Sequence, residues 1–225
     1  MSSWYSGRRT TQSIPISINN LIVCCGKKTE VNYFSAISGY IKNEYPKITG
    51  VNFDCVADAV DPLQMAAKVE ERYLLSKNNV KPYNHIWIVF DKDDFGKDNF
   101  DNAINKIRKL NNKYDRKNES VQFHSLWSNE CIELWFLLHF CYLNTAIGRE
   151  AYFEKLGTFI GKYKKNDEGI AGKLLLHNGQ LSKAISNAEK LLVNNKNNTP
   201  ANSNPATNVV EFFNFYKNYL GLLIN

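Results

Sequence analysis

The sequence predicts an α/β fold: a largely parallel sheet with helices on both faces. Three observations carry that expectation. Short runs of β-branched and aromatic residues recur along the chain, as expected of core strands. Stretches with apolar side chains at helical spacing separate them, and strand–helix alternation of this kind builds a parallel sheet covered on both faces. Finally, the apolar run Ile86-Trp87-Ile88-Val89-Phe90 is followed at once by Asp91-Lys92-Asp93-Asp94. That puts an acidic cluster at the carboxyl end of a strand, where open α/β sheets bind ligands.

Residues 1–18 carry Arg8, Arg9 and scattered Ser and Thr without periodicity, and read as a flexible N-terminal arm. Leu21-Ile22-Val23-Cys24-Cys25 is the first strand, and Gly26-Lys27-Lys28-Thr29-Glu30 turns it into a helix carrying Tyr33, Phe34, Ile37 and Ile41. A second strand, Val51 to Val56, precedes a helix over 62–76 whose Pro62 suits a first turn. The third strand ends in Asp91, and a helix over 98–110 follows on Phe100, Ala103, Ile104 and Ile107. Val121 to Trp127 makes a fourth strand. Ser128-Asn129 ends it and caps a helix over 130–140 that is apolar almost all round, hence buried. From about Asn144 the chain reads as helical, with a long Asn- and Pro-rich loop over 194–208. The expected organisation is an arm over 1–18, an α/β core over 19–143 and a helical extension over 144–225 packed on it.

Composition narrows the function classes. With 225 residues, 44% of them hydrophobic, the chain can bury one good-sized core. No apolar run approaches the roughly 20 residues of a membrane helix, and no charged-then-apolar leader opens the chain, so a cytoplasmic protein is expected. None of the five cysteines shows CxxC spacing, which argues against a disulfide framework or a zinc site. A net charge of +6 permits nucleic-acid binding without demonstrating it.

The residues with chemistry are few. Asp91 and Asp93 alternate by two and point the same way if the strand continues, a geometry suited to Mg2+, which prefers oxygen ligands. The plainer alternative is a polar loop in which one Asp caps the next helix. Glu133 is the anomaly of the apolar helix, because a buried carboxylate is costly without a cation or several donors. Asn129, four residues earlier, shares its helix face in this reading. Gly26-Lys27-Lys28-Thr29 can cradle a phosphate through backbone amides and lysine charge, or be an ordinary exposed turn. It is not a Walker A loop, which needs Gly at the position of Leu21 and Ser or Thr at that of Lys28. Tyr163-Lys164-Lys165 sets an aromatic beside basic charge, as a nucleic-acid grip or as a solvated surface. His139 reads as a core histidine.

Together these landmarks resemble the RloB-like (AbiLii-like) proteins, small members of the Toprim superfamily from bacterial abortive-infection and restriction loci. The resemblance lies in Val23-Cys24-Cys25-Gly26-Lys27-Lys28-Thr29-Glu30 with Asn32-Tyr33-Phe34, and in Trp87-Ile88-Val89-Phe90-Asp91-Lys92-Asp93-Asp94. Its most specific block is Ser128-Asn129-Glu130-Cys131-Ile132-Glu133-Leu134-Trp135, running on to Leu138-His139-Phe140. Tyr163-Lys164-Lys165 and Asn204-Pro205-Ala206-Thr207-Asn208-Val209 are weaker echoes, and the whole spans about 20–215.

The resemblance implies a Toprim-like fold and Mg2+- or Mn2+-dependent phosphodiester chemistry in anti-phage defence. Its Asp-x-Asp maps to Asp91 and Asp93, whereas its first-strand Glu falls at Cys25, a poor ligand for Mg2+. Glu30 or Glu133 then supplies the missing carboxylate, or the site binds without cutting, or another metal uses Cys25. In the leading expectation Asp91, Asp93 and Glu133 hold the metal and Glu30 joins them in catalysis. Lys27, Lys28, Ser128, Asn129, Tyr163, Lys164 and Lys165 hold an RNA (such as tRNA) or DNA substrate. The alternative is a degenerate Toprim domain that binds nucleic acid or a nucleotide and regulates an ATPase partner of the ABC or OLD type. Homo-oligomerisation stays open.

Overall fold

A computed structural model describes residues 18–44, 51–58, 61–78, 82–93, 95–176 and 179–217. Of the arm expected over 1–18, residues 1–17 lie outside them, as does the acid Asp94, whereas Ile18 already belongs to the first strand. Four strands run parallel: β1 (Ile18–Cys24), β2 (Val51–Ala57), β3 (His85–Asp91) and β4 (Gln122–Asn129). A two-residue strand, β5 (Ala206–Thr207), pairs antiparallel with the end of β4, giving the order β2-β1-β3-β4-β5. The helices are α1 (Thr29–Glu44), α2 (Pro62–Ser76), α3 (Lys97–Asp115), α4 (Glu133–Leu138), α5 (Arg149–Ile160), α6 (Ile170–Leu176), α7 (Leu181–Asn194) and α8 (Val210–Phe215).

Side-chain alternation along the strands feeds two cores, as a sheet covered on both faces requires. Leu21 and Val23 of β1, with Ile86, Ile88 and Phe90 of β3, pack with α2 and α3. Ile22 and Cys24, with Trp87 and Val89, face the other way onto α1, α4 and the helices that follow. Local chemistry sets the helices. The Asp61 side chain accepts from the Leu63 amide at 2.7 Å and Pro62 opens α2. In α3, Phe100, Ala103, Ile104, Ile107 and Leu110 form one apolar face.

The switch of sides positions the site. The chain leaves β1 for α1 on one face and leaves β3 for α3 on the other, and β1 and β3 are neighbours. A crevice therefore opens beyond their carboxyl ends.

Two segments depart from the sequence reading. Ser128 and Asn129 do not cap a helix over 130–140. They continue β4, because the returning chain binds them: Ser128 Oγ lies 3.0 Å from Thr207 Oγ1, and Asn129 Nδ2 donates to the carbonyls of Pro200 at 3.1 Å and Ala201 at 3.2 Å. The buried helix is only α4, which starts at Glu133, so Asn129 and Glu133 share no helix face. The stretch 194–208 is not one long loop, since it holds a 3-10 turn (Pro200–Asn202) and β5. Residues after Asn144 thus supply a strand of the sheet and much of one core.

Candidate functional site

Beyond the tips of β1, β3 and β4 lies a cavity of about 370 Å3. Its wall contains Gly26, Lys27, Lys28, Thr29 and Glu30 after β1, Asp91 and Asp93 at the end of β3, and Cys131, Ile132 and Glu133 after β4. Arg149, Lys165 and Asn166 complete it. Glu30, Asp91, Asp93, Glu133, Lys27, Lys28 and Lys165 thus converge from distant parts of the chain. Four carboxylates face four cations.

Asp91 ends the central strand. Its Oδ1 is shielded from solvent and meets no hydrogen-bond partner, although buried polar atoms are nearly always satisfied. Burial, then the charges of Glu30 and Glu133, push its carboxyl well above the ordinary carboxylate range, against the opposing pull of the Ile132 amide and Arg149. Glu30 sits in the first turn of α1 and is 8% exposed. Burial raises its pKa and the Glu133 charge adds to the rise, while its own backbone amide, Lys165 and Arg149 oppose it. The carboxylate of Glu30 folds back over the Gly26 turn so closely that a methyl group on Gly26 would overlap it. The turn expected to cradle a phosphate therefore seats a carboxylate of the chain itself.

Glu133 is 3% exposed at the start of α4, and its Oε1 accepts the Tyr163 hydroxyl at 2.8 Å. Asp93 follows the strand at φ 42°, so it does not continue the alternation of β3. It forms an ion pair with Arg149 at the start of α5. The segment carrying Lys165 is tied to α1 through Asn166, whose amide donates to Thr29 Oγ1 at 3.3 Å and whose carbonyl accepts from Asn32 Nδ2 at 3.2 Å.

Several expected contacts lie elsewhere. Tyr163 cannot stack a base from the surface, because its ring is buried 5.4 Å from that of Phe153 and its hydroxyl is committed to Glu133. Lys164 is exposed and outside the cavity wall. Ser128 and Asn129 are 1% and 3% exposed and bound to the 200–207 segment, so no substrate reaches them. Cys25 is also absent from the cavity wall. It packs beside the opposite core, and burial raises its thiol pKa, with Glu30 and Asp91 adding to the rise. A protonated thiol facing away is no substitute for a carboxylate ligand. His139 is fully buried near Trp135 and burial lowers its pKa to about 3, as suits a neutral core residue.

Sequence reasoning missed Arg149 and Asn166, and the contact of Thr29 with Asn166. The α1–Asn166 contacts join residues more than 130 apart, for which the sequence holds no local signal. Arg149 carries one faint signal, a cation in a first helical turn, where acids are favoured.

The donor set is all oxygen on the acidic side, which fits a hard divalent cation. Among the described residues no group of three or more His, Cys, Asp or Glu side chains is arranged to hold a metal ion. The fit is therefore to an ion held by one or two carboxylates, with water and a substrate oxygen filling the remaining positions, as Mg2+ commonly is. The unsatisfied Asp91 oxygen is the strongest local indication of such an ion.

A family model described as RloB-like protein matches residues 20–214. No curated protein and no solved structure matches the chain. Among the described residues no helix is long and apolar enough to cross a membrane.

Proposed function

The chain belongs to the RloB-like family, and on that premise we propose that it is a Toprim-type, metal-dependent nuclease of bacterial anti-phage defence. The observation that carries the reading is Asp91: a carboxylate at the tip of the central strand, with a buried, unpartnered oxygen, between the like charges of Glu30 and Glu133. Such an arrangement wastes free energy unless a cation is part of the working state. Asp91, with Glu30 or Glu133, would hold Mg2+ or Mn2+, which would supply charge neutralisation for a scissile phosphate and activation of a water.

The chain's own residues supply the rest. Lys27, Lys28 and Lys165 ring the mouth and attract a phosphate backbone. Gly26 gives the Glu30 carboxylate room to lie at the β1 end, from the helix turn instead of from the strand. Tyr163 holds Glu133 in orientation by donating to it. Cleavage of labelled tRNA and DNA by the purified chain with Mg2+ or Mn2+ tests the reading. Strand scission that is lost in chelator and in Asp91→Ala is expected, and a D91A variant that cuts at the wild-type rate overturns it.

A second reading has its own support. Asp93 rests in an ion pair with Arg149, and no three acids share one point among the described residues. Both features suit a domain that binds nucleic acid or a nucleotide and signals to an ATPase of the ABC or OLD type. Tight binding without scission or phosphate release, under every metal tried, would favour it.

A further inference from the structure

The cavity wall holds a charge pair that the cation reading leaves without a purpose. Arg149 is the first residue of α5, half-buried, and its Nη2 pairs with Asp93 Oδ1. A cation in the first turn of a helix meets the positive end of the helix dipole, which costs stability. Arg149 is therefore not placed for the benefit of its helix. It faces the same cavity as Glu30 and Asp91, and its charge acts on both.

Among the described residues the Asp93 carboxylate is the partner the structure gives Arg149. A guanidinium is a planar fork of five donors that matches the paired oxygens of a phosphodiester as well as those of a carboxylate. Both partners carry a single negative charge, so exchanging one for the other leaves the guanidinium paired with one unit of negative charge. Asp93 itself stands just past the strand at φ 42°, a region open to Asp and Asn more than to most residues. Asparagine there keeps the backbone and removes the charge.

Building on the phosphodiester reading of this cavity, we propose that Arg149 is its phosphate-binding residue. Asp93 occupies the guanidinium at rest, and a phosphodiester group of the ligand displaces it. The pair is thus a latch, and Asp93 is an internal competitor of the substrate.

Binding of short labelled single-stranded RNA and DNA of one sequence, followed by fluorescence anisotropy in chelator, tests this. Asp93→Asn should bind several-fold more tightly than wild type, since it removes the competitor. Arg149→Ala should bind about tenfold or more weakly, the range of a lost charged hydrogen bond. The double variant should match R149A, showing that the gain from D93N runs through the guanidinium. A merely structural pair would make D93N bind the same or worse, and that result overturns the proposal, as does an R149A that binds like wild type. If D93N fails to fold, Arg149→Lys decides. Affinity between those of wild type and R149A supports a fork on phosphate, whereas affinity equal to wild type overturns it. The RNA and DNA arms identify which phosphodiester is preferred. Because binding is read without metal, a wild type that never cleaves sinks the nuclease reading alone. A cleaving wild type with no gain in D93N sinks the latch alone.

Discussion

Tyr163 donates its phenolic hydroxyl to Glu133 at 2.8 Å inside the wall of the cavity, joining the segment after α5 to the start of α4. Both residues are buried, so little solvent competes for this bond. Tyr163→Phe is therefore expected to destabilise the chain by about 2 kcal/mol, the range for a lost hydrogen bond to a charged group. Urea unfolding at pH 7 measures it. A variant within a few tenths of a kcal/mol of wild type would show that Glu133 does not rely on this bond.

Gly26 separates stability from site geometry. The three atoms nearest a Cβ there all belong to the far end of the Glu30 side chain, which can swing away. Gly26→Ala is expected to change unfolding stability by less than about 1 kcal/mol, yet to displace the Glu30 carboxylate. Metal-dependent cleavage should fall by about tenfold or more, the size of effect a small misplacement in a site produces. Equal cleavage rates in G26A and wild type would remove Glu30 from the site.

The acids predict an unusual pH dependence without metal. Asp91 and Glu30 have folded-state pKa values raised by burial and by neighbouring acids. A raised carboxyl contributes stability below its unfolded pKa, about 4, and that contribution is lost as pH rises through the folded value. Asp58, Glu70 and Asp167 are lowered and act in the opposite sense, losing their contribution as pH falls. Comparison with Asp91→Asn isolates the raised group. In chelator, D91N should be more stable than wild type at pH 8, with the gap closing toward pH 4. A gap that is constant with pH would contradict the raised pKa.

A divalent ion should reverse that penalty. At about one hundred times its Kd, Mn2+ or Mg2+ is expected to stabilise the folded chain by about 2.7 kcal/mol. The shift should vanish in chelator and in an Asp91→Ala, Glu133→Ala double variant. Calorimetric melting with and without the ion reads it, and an unchanged wild-type midpoint would count against an ion in this cavity.

Asn208 closes the edge of the sheet. Its Oδ1 accepts from the Trp127 amide at 2.6 Å and its Nδ2 donates to the Ser125 carbonyl at 2.8 Å, so one side chain replaces a missing strand partner. Asn111 does the same for Phe123, at 2.7 and 2.8 Å. Asn208→Ala leaves a buried amide unpaired and should cost about 2 kcal/mol, measurable by chemical denaturation. A loss no larger than that of an exposed substitution would show that water repairs the edge.

Much of the sheet was legible because period and composition report burial. Val23, Ile88 and Phe90 lie in strands that two cores enclose, and Phe100 to Ile107 repeat at helical spacing. Glu133 was legible for a related reason, as a charge within an apolar run. β5 was not, because Ala206 and Thr207 form too short a strand to carry a pattern and lie among Asn and Pro. Ser128 and Asn129 were misread as a cap because the residues that bind them, Thr207, Pro200 and Ala201, lie about 70 to 80 positions away. Tyr163 looked superficial from its basic neighbours, and only folding reveals that it turns inward while Lys164 and Lys165 turn out. Arg149 gave no more than its odd place in a helix.

The acids of the cavity follow three adjacent parallel strands: Glu30 after β1, Asp91 on β3, and Glu133 after β4. The cations come from less constrained places: a turn, the start of α5 and the stretch beyond it. Inheritance can therefore treat the two halves differently. A substitution at Arg149 or near Lys165 alters the cationic side of the cavity, while the interior that fixes the carboxylates stays as it is.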